Sequence, residues 1–398
     1  MTSFAEQRFL AEARIARACG CFFVPNAWRG VAFDRCEVDF SSWYSAYVAV
    51  TVIVAVTGEV YLFVRQVSGP AAYIEDFFEK LYFAMHILVA VKILTNLSFF
   101  VAGNRTFVEA LRDVKRLERS IGFRFPEEGS WARLRRRLRL VLFAVVVLCF
   151  GLSRAFTVVD VARDMAAPWF LPLATGAFSL LYGVVELMVV ITERYFCVVL
   201  SRYVQFQVGR AHELLGGSGM FSTLQTTRDL VGAVDRLRAS MAAVARIVRK
   251  VDDWLRFAVL VNFLISALSA CVVAYAVVST HISTEKLLCT AAYATLTCLS
   301  IADASLSAGD VKEQALKLKA VLDSVSVLNL PPRVTCQVEL FSMTIDEKQL
   351  CFTGSGFFIV DRPMLTSFVG LVMTYSIIVV QTGRKPDTPR CQHHVGLA

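Results

Sequence analysis

Long apolar runs alternate with charged stretches along most of the chain. Each run is about twenty residues or longer, the length that an α-helix needs to cross a lipid bilayer. The pattern predicts seven membrane-spanning helices, at residues 41–64, 81–103, 138–160, 168–200, 257–279, 287–308 and 363–381. The fourth run exceeds the bilayer and carries Glu193 and Arg194 near its end, so we expect this helix to continue beyond the membrane. We therefore predict an all-α polytopic membrane protein.

The charged stretches contain helical patterns of their own. Within 201–256, apolar residues recur at alternating spacings of four and three: Leu230, Val234, Leu237, Met241, Val244, Val248, Val251 and Leu255. A seam of this kind packs against a partner helix. Residues 201–215 and 309–328 also have helical patterns, and glycines at 216, 217 and 219 mark a turn. We predict helices that project into the cytoplasm. The seam alone fits either a hairpin within the chain or a contact between subunits.

The last apolar run begins after a clear break in the chain. Gly354 and Gly356 interrupt the preceding segment. Asp361 is a good N-cap residue, and Pro363 suits the first turn of a helix. We therefore predict that a new helix starts here.

This last run carries its polar and small residues on one side. Ser367, Gly370, Thr374 and Gln381 are separated by three, four and seven residues, which places them on one helical face. The other positions are mostly Leu, Val, Ile, Phe and Met. A polar face on a membrane helix is directed at protein or water rather than lipid. Close helix packing through small residues explains the first three positions equally well.

Composition supports a membrane protein and argues against several other classes. Hydrophobic residues make up 56% of the 398 residues and charged residues only 19%, with a mean hydropathy of +0.57. The net charge is +8, but the charged residues lie in loops that contain no basic-aromatic motif, so we expect no nucleic-acid partner. The eleven cysteines form no CxxC pair. We expect no metal site and no cofactor.

The distribution of Lys and Arg predicts the orientation. Alternate loops, beginning with residues 1–40, hold 28 of these residues, whereas the intervening loops hold four. Basic residues favour the cytoplasmic side, so we predict a cytoplasmic N-terminus and an extracellular C-terminus. Asn104 begins a glycosylation sequon in a loop that we place inside the cell, and we expect it to be unmodified.

The end of the chain resembles a known family. Thr374 and Tyr375, followed by five residues (SIIVV) and Gln381, are similar to the C-terminal signature of arthropod gustatory receptors, and the preceding FTGSGFFIVDRPML is similar to their upstream segment. Thr382 stands where that family has Phe. The resemblance implies a seven-helix, ligand-gated cation channel of the plasma membrane, assembled as a homo- or heterotetramer with related subunits.

The resemblance also implies a division of the chain. The expected parts are a cytoplasmic N-terminal segment (1–40), a six-helix ligand-binding domain (41–308) with cytoplasmic helical loops (104–137 and 201–256), a cytoplasmic anchor and approach (309–361), a pore-lining helix (362–382) and an extracellular tail (383–398). It favours placing the helical seam between subunits.

Two groups of residues are candidates for the site. The candidates for the pore lining are Ser367, Gly370, Thr374, Ile377, Ile378, Gln381 and Thr382. Apolar residues near its end are candidates for the gate. Tyr375 lies off the polar face, and we assign it to packing against neighbouring helices.

The ligand, a small-molecule tastant, is expected among the first six helices. The candidates for its pocket are ionisable or aromatic residues within the spans: Glu59, His86, Arg154, Asp160, Tyr182, Glu186, Tyr275 and Tyr293. Structural ion pairing is the alternative role for the charged members of this set.

Two other classes of protein remain as alternatives. A metabotropic seven-helix receptor has the opposite orientation, and a transporter typically shows internal repeats or broken helices at corresponding positions. We find no enzyme signature that places its groups on one side of the membrane, so we do not expect an enzyme. Epitope tags at the two ends separate the receptor classes.

Overall fold

The described part of the chain is almost entirely helical. The computed structural model describes residues 3–6, 8, 9, 41–51, 53, 57, 77–123, 170–216, 224–278, 284–325 and 330–383, with isolated positions between 134 and 148. Its helices are α1 (Phe77–Ile121), α2 (Phe170–Gly216), α3 (Leu224–Val278), α4 (Thr284–Val325), α5 (Pro332–Thr344), a 3₁₀ helix (Glu347–Leu350) and α6 (Arg362–Gly383). The only β-bridge among these residues joins Thr353 and Ile359.

Apart from the bends at Ser41 and Ser42, the described positions within each predicted span are helical. Three segments of the described helices are long and apolar enough to cross a membrane, namely Ile87–Ile121, Thr227–Tyr275 and Arg362–Gln381. The all-α class is confirmed. The number of spans and the sides on which the two ends lie stay predictions.

The long helices extend well beyond a bilayer. The 55 residues of α3 reach about 83 Å at 1.5 Å per residue, whereas the hydrocarbon core is about 30 Å thick. As predicted, the helix of the fourth apolar run is longer than a membrane span and continues to Gly216. Predicted spans and predicted cytoplasmic helices are thus parts of the same continuous elements.

The predicted cytoplasmic segment that begins at residue 104 is helical up to Ile121 and is continuous with the preceding span. Residues 104–121 continue α1 without a break, because Phe107, Leu111, Val114 and Leu117 keep a buried helical stripe beyond the membrane segment. The Asn104 side chain is buried within this helix.

The helical seam is covered inside the chain. All eight seam residues of α3 are at most 6% exposed, although no second subunit is present to cover them. The helix α3 contacts α1, α2, α4, α5, α6 and the 3₁₀ helix. The seam therefore packs within one chain, and the placement of this seam between subunits was wrong. A repeat of apolar positions shows that a face is buried but does not show which helix covers it.

Buried polar groups connect the long helices. The Asn262 side-chain amide of α3 donates to Asn96 Oδ1 of α1 at 2.9 Å, and the Asn96 amide donates to the Val185 carbonyl oxygen of α2 at 3.4 Å. Arg194 of α2 pairs with Asp303 of α4 at 2.7 Å. Because lipid offers no hydrogen-bond partners, such bridges hold apolar helices in a defined register.

The N-terminal residues dock between α1 and α2. Ser3 Oγ accepts from the Glu6 amide at 3.1 Å, while Glu6 Oε2 accepts from the Ser3 amide at 2.8 Å, so the two residues form a capping box. Glu6 also pairs with Lys115 at 2.7 Å, and both side chains are more than nine-tenths buried. A buried ion pair of this kind is costly to break, at about 3–5 kcal/mol.

Glu118 completes this docking site. Its carboxylate accepts hydrogen bonds from the Phe4 amide at 2.8 Å, the Ala5 amide at 3.2 Å and the Tyr203 hydroxyl at 2.6 Å. Burial, together with the adjacent Glu118 carboxylate, raises the pKa of the Tyr203 phenol well above its usual range. Tyr203 therefore remains a neutral donor. The N-terminal turn is thus held by Glu118 of α1, whose carboxylate also binds Tyr203 of α2.

One aromatic contact requires a glycine in α1. The Trp254 indole of α3 lies directly over Gly103, and a Cβ atom at residue 103 would come within 1.7 Å of Trp254 Nε1. The same nitrogen donates to the Phe99 carbonyl oxygen at 3.1 Å. Trp254 also packs edge-on against Phe100, with ring centroids 5.7 Å apart. The two helices α1 and α3 therefore approach each other closely at this point.

We predict that Gly103→Leu destabilises the protein by about 3 kcal/mol or more, because the indole loses its buried position. Thermal unfolding of the purified protein in detergent measures the effect. The matched control is Gly209→Leu in α2, where an added Cβ meets nothing within 4 Å. Equal unfolding midpoints for the two variants would contradict the proposed packing.

Candidate functional site on the last helix

A tight turn precedes α6. The Gly354 amide donates to the Phe358 carbonyl oxygen at 2.9 Å, and the Val360 amide donates to the Phe352 carbonyl oxygen at 2.8 Å. Gly356 has φ +79°, a conformation that glycine adopts readily. A Cβ on Gly354 would meet the Phe358 ring at 2.3 Å, so this position also needs glycine. The predicted break at the two glycines is confirmed.

The start of α6 follows the expected chemistry. Asp361 Oδ1 accepts from the Met364 amide at 3.2 Å, which caps the first turn. Pro363 occupies that turn, where its missing amide hydrogen costs nothing. The helix runs from Arg362 to Gly383, close to the predicted bounds.

Charged residues of α3 and α4 hold this turn and the start of α6. Asp252 of α3 accepts from both the amide and the hydroxyl of Thr353, the latter at 2.9 Å. Arg362 pairs with Asp310 and Glu313 of α4, at 2.9 Å each. The first turn of α6 is thereby attached to two long helices.

An aromatic contact extends this attachment into the membrane segment. The Phe263 ring of α3 lies between Phe358 of the turn and Phe368 of α6, with centroid distances of 5.2 and 6.1 Å. Further along, Cys271 Sγ approaches the Val372 carbonyl oxygen at 3.7 Å. One side of α6 therefore follows α3.

The opposite side of α6 is uncovered in the single chain. Ser367, Gly370, Thr374 and Gln381 are exposed, whereas Ser376 is buried and Val372 is half-buried. At about 100° per residue, the polar face and the packed side lie nearly opposite each other. Of the apolar window of this helix, only 6% is buried within the chain.

The flanking candidates are also exposed. Ile377 is 54% exposed and Ile378 is 47% exposed. Tyr375, which we assigned to packing against neighbouring helices, is 53% exposed, so the described part of this chain does not cover it. The side chain of Thr382 lies outside the described part.

The hydroxyl groups of the polar face donate to the helix itself. Thr374 Oγ1 donates to the Gly370 carbonyl oxygen at 2.9 Å, and Ser367 Oγ donates to the Pro363 carbonyl oxygen at 3.5 Å. With the hydrogen used in this way, each hydroxyl oxygen presents acceptor lone pairs outward. Such oxygens, together with the Gln381 carboxamide, are suitable transient ligands for a hydrated cation.

The ligand-pocket candidates are described only in part. Tyr275 of α3 and Tyr293 of α4 are both buried, at 8% and 6% exposure. Glu59, Arg154 and Asp160 lie outside the described residues, as do the side chains of His86, Tyr182 and Glu186. The site therefore stays a prediction.

Some contacts at this site had no signal in the sequence. Asp252 precedes a predicted span by five residues and belongs to a run of charged positions, and no local pattern links it to Thr353 a hundred residues later. The Phe263 contact is hidden in the same way, because Phe263 is one of many apolar residues of its span.

The chain consists of long helices that are joined by buried polar contacts, followed by a shorter apolar helix that is largely exposed. These features are those of a multi-pass membrane protein. Residues 14–383 match the family described as 7tm chemosensory receptor, and the chain belongs to that family. Two structures of the insect olfactory receptor OR5 from Machilis hrabei, one of them in complex with eugenol, share the fold. Their TM-scores are 0.66 and 0.65 at 17% and 16% identity, and each alignment covers 94% of this chain and 98% or 97% of the other. No curated protein sequence matches the chain.

We predict that Asp252→Ala lowers the free energy of unfolding by about 1–3 kcal/mol, because the Thr353 amide and hydroxyl lose their acceptor. Thermal unfolding in detergent again provides the measurement. The matched control is Asp253→Ala at the next position, whose carboxylate is 59% exposed and pairs with Arg256 at 3.4 Å. A larger effect at residue 253 than at residue 252 would argue against the attachment.

Proposed function

We propose that this protein is a gustatory-type chemoreceptor of the plasma membrane, acting as a tastant-gated cation channel. The observation that carries the proposal is the polar face of α6, which is exposed on the side away from α3. In lipid, the Gln381 carboxamide on this face lacks a partner, whereas around a shared axis it contacts water. A single helix cannot enclose a path for ions, so the proposal requires several copies.

The resemblance to gustatory receptors implies four copies, either identical or contributed by related subunits. Their α6 helices surround the axis, with Ser367, Gly370, Thr374 and Gln381 directed inward. Ile377 and Ile378 flank this face, and we assign them to the narrow part that closes by excluding water. Thr382 replaces the family's Phe, so the constriction at this end has a hydroxyl-bearing side chain.

Gating follows from the attachment of α6. A small-molecule ligand that binds among the first six helices, on the extracellular side, shifts α3 and α4, which hold both the turn at Thr353 and the start of α6 at Arg362. A ligand opens the channel only to the extent that it binds the open state more tightly than the closed one. The complex of OR5 with eugenol supports a small organic molecule as the class of ligand.

We predict that a cysteine introduced at Gln381 reacts with a membrane-impermeant thiol reagent in intact cells, and that a cysteine at Thr374 reacts when an activating ligand opens the channel. Water in the pore reaches these two positions but does not reach lipid-facing ones. Labelling is measured against the unsubstituted chain, which already contains eleven cysteines.

The matched controls for labelling are Val369→Cys and Met373→Cys. Both positions are as exposed in the single chain, at 59% and 61%, but lie on other sides of α6. We expect them to remain unlabelled in the assembly. Labelling at the control positions without labelling at residues 374 and 381 would overturn the pore assignment.

We predict that Gln381→Glu raises the permeability of Ca²⁺ relative to Na⁺ several-fold, because each subunit adds a carboxylate to the same ring. Reversal potentials are measured in cells that express only this chain, using a panel of sugars, amino acids and alkaloids as activators. The control is Gln205→Glu, the same change at an exposed position of α2 that contacts Arg202. A metabotropic receptor or a transporter gives no current that depends on residue 381.

A further inference from the structure

A cavity of about 570 Å³ opens between α1 and α3, away from α6. Its lining combines aromatic, small and basic residues: Phe99, Ala102, Gly103, Thr106, Arg246, Arg249, Lys250, Asp253 and Trp254. None of these residues belongs to the predicted ligand pocket or to the pore. The cavity therefore needs its own explanation.

The cavity lies where two predicted spans end. The predicted span of α1 ends at Gly103 and that of α3 begins at Phe257, and Trp254 packs over Gly103 at this level. The end of the α1 span and the start of the α3 span were predicted independently of each other. In the fold, the Trp254–Gly103 contact places them at the same level along the two helices. Tryptophan is enriched at the surface of the hydrocarbon core. The basic residues at positions 246–250 precede Phe257 by 7 to 11 residues, about 10–17 Å along the helix, which includes the depth of the lipid headgroups.

Of the three basic residues that line the cavity, one is paired with carboxylates and two arginines can bind an anion. Lys250 is committed to Glu109 and Asp113 of α1, at 3.1 and 2.9 Å. Arg249 bonds the neutral Gln349 side chain at 3.2 Å. Arg246 is exposed, and among the described residues no carboxylate pairs with Arg246 or Arg249.

One acidic residue also lines the cavity. Asp253 pairs with Arg256 at 3.4 Å, which offsets its charge. The side chain of Thr106 adds a hydroxyl donor on the α1 wall. The cavity thus offers an anion two guanidinium groups and one hydroxyl donor. A guanidinium group can donate two parallel hydrogen bonds to a phosphate group.

An apolar surface continues from the cavity into the predicted membrane segment. Phe257 and Leu264 lie on the cavity-lining side of α3 and are 48% and 53% exposed. Phe99 stacks on Phe257 at 5.8 Å and joins this surface to the floor of the cavity. A ligand that occupies the whole site therefore has a phosphate at one end and a hydrocarbon portion at the other.

We propose that this cavity binds the headgroup of an anionic phospholipid of the cytoplasmic leaflet, with its acyl chains along Phe257 and Leu264. The choice of leaflet depends on the orientation proposed above. A free inositol phosphate has the same headgroup chemistry but makes no use of the apolar surface. A bound lipid fixes the α1–α3 contact at the level of Trp254.

The test uses the full-length protein, purified in detergent, and phosphatidylinositol 4-phosphate that carries a fluorescent label on an acyl chain. We expect saturable binding of this lipid and no saturable binding of phosphatidylcholine with the same label. Arg246→Gln combined with Arg249→Gln weakens binding by roughly 30-fold, from the contribution of each basic residue near an anionic lipid.

Two further variants separate the site from general charge effects. Ala102→Trp fills the cavity from an exposed position and keeps every charge, and we expect it to weaken binding as well. Arg228→Gln combined with Arg236→Gln makes the same change of charge at exposed positions of α3 outside the cavity, and we expect unchanged binding. Size-exclusion profiles confirm that each variant folds.

The outcomes that overturn the proposal are distinct from those of the channel experiments. Equal loss of binding in the Arg228 and Arg236 variant means that charge alone attracts the lipid. Displacement of the labelled lipid by soluble inositol 1,4-bisphosphate at equal concentration means that the site takes the free headgroup. Unchanged lipid binding in the Arg246 and Arg249 variant would show that the cavity is not the binding site.

Discussion

The structure depends on the burial of one long helix. The 55 residues of α3 carry a seam of apolar side chains from Leu230 to Leu255, and the helix contacts every other named helix of the described chain. Because the same helix continues into the predicted membrane segment, its packing outside that segment also constrains the position of the segment itself. A displacement on either side of the membrane surface is transmitted along a continuous, packed element.

The last helix is held in a very different way. Its first turn is attached by Asp310 and Glu313 of α4, its preceding turn by Asp252, and one side by Phe263. The remaining surface is largely exposed in the part of the chain that the structure describes, although this helix has the most apolar sequence of the described α-helices on average. An element attached firmly at its start and uncovered elsewhere is suited to packing against copies of itself and to changing its tilt.

Polar groups within the bundle have mainly structural roles where the structure describes them. Asn96 and Asn262 bond each other, and Arg194 and Asp303 form an ion pair. In a bilayer each of these groups is costly when it is unpaired. The bridges therefore define the register of helices that apolar packing alone leaves free to slide.

Local features of the site were predictable because they depend on short-range chemistry. The glycine break, the Asp361 cap and the exposed polar face of α6 each follow from residues within one or two turns of each other. The all-α class followed from apolar runs and their length.

The sequence did not predict which helix or subunit covers each buried helical face. The seam of α3 fits another subunit as well as another helix of the same chain, because a repeat of apolar positions is the same in both cases. By itself the sequence determined which residues become helical, where α6 begins and which of its sides is polar, since these follow from helical periodicity and capping. Only the tertiary structure decided that α3 is covered by its own chain and that Asp252 meets Thr353, because contacts between residues a hundred positions apart depend on how whole helices pack.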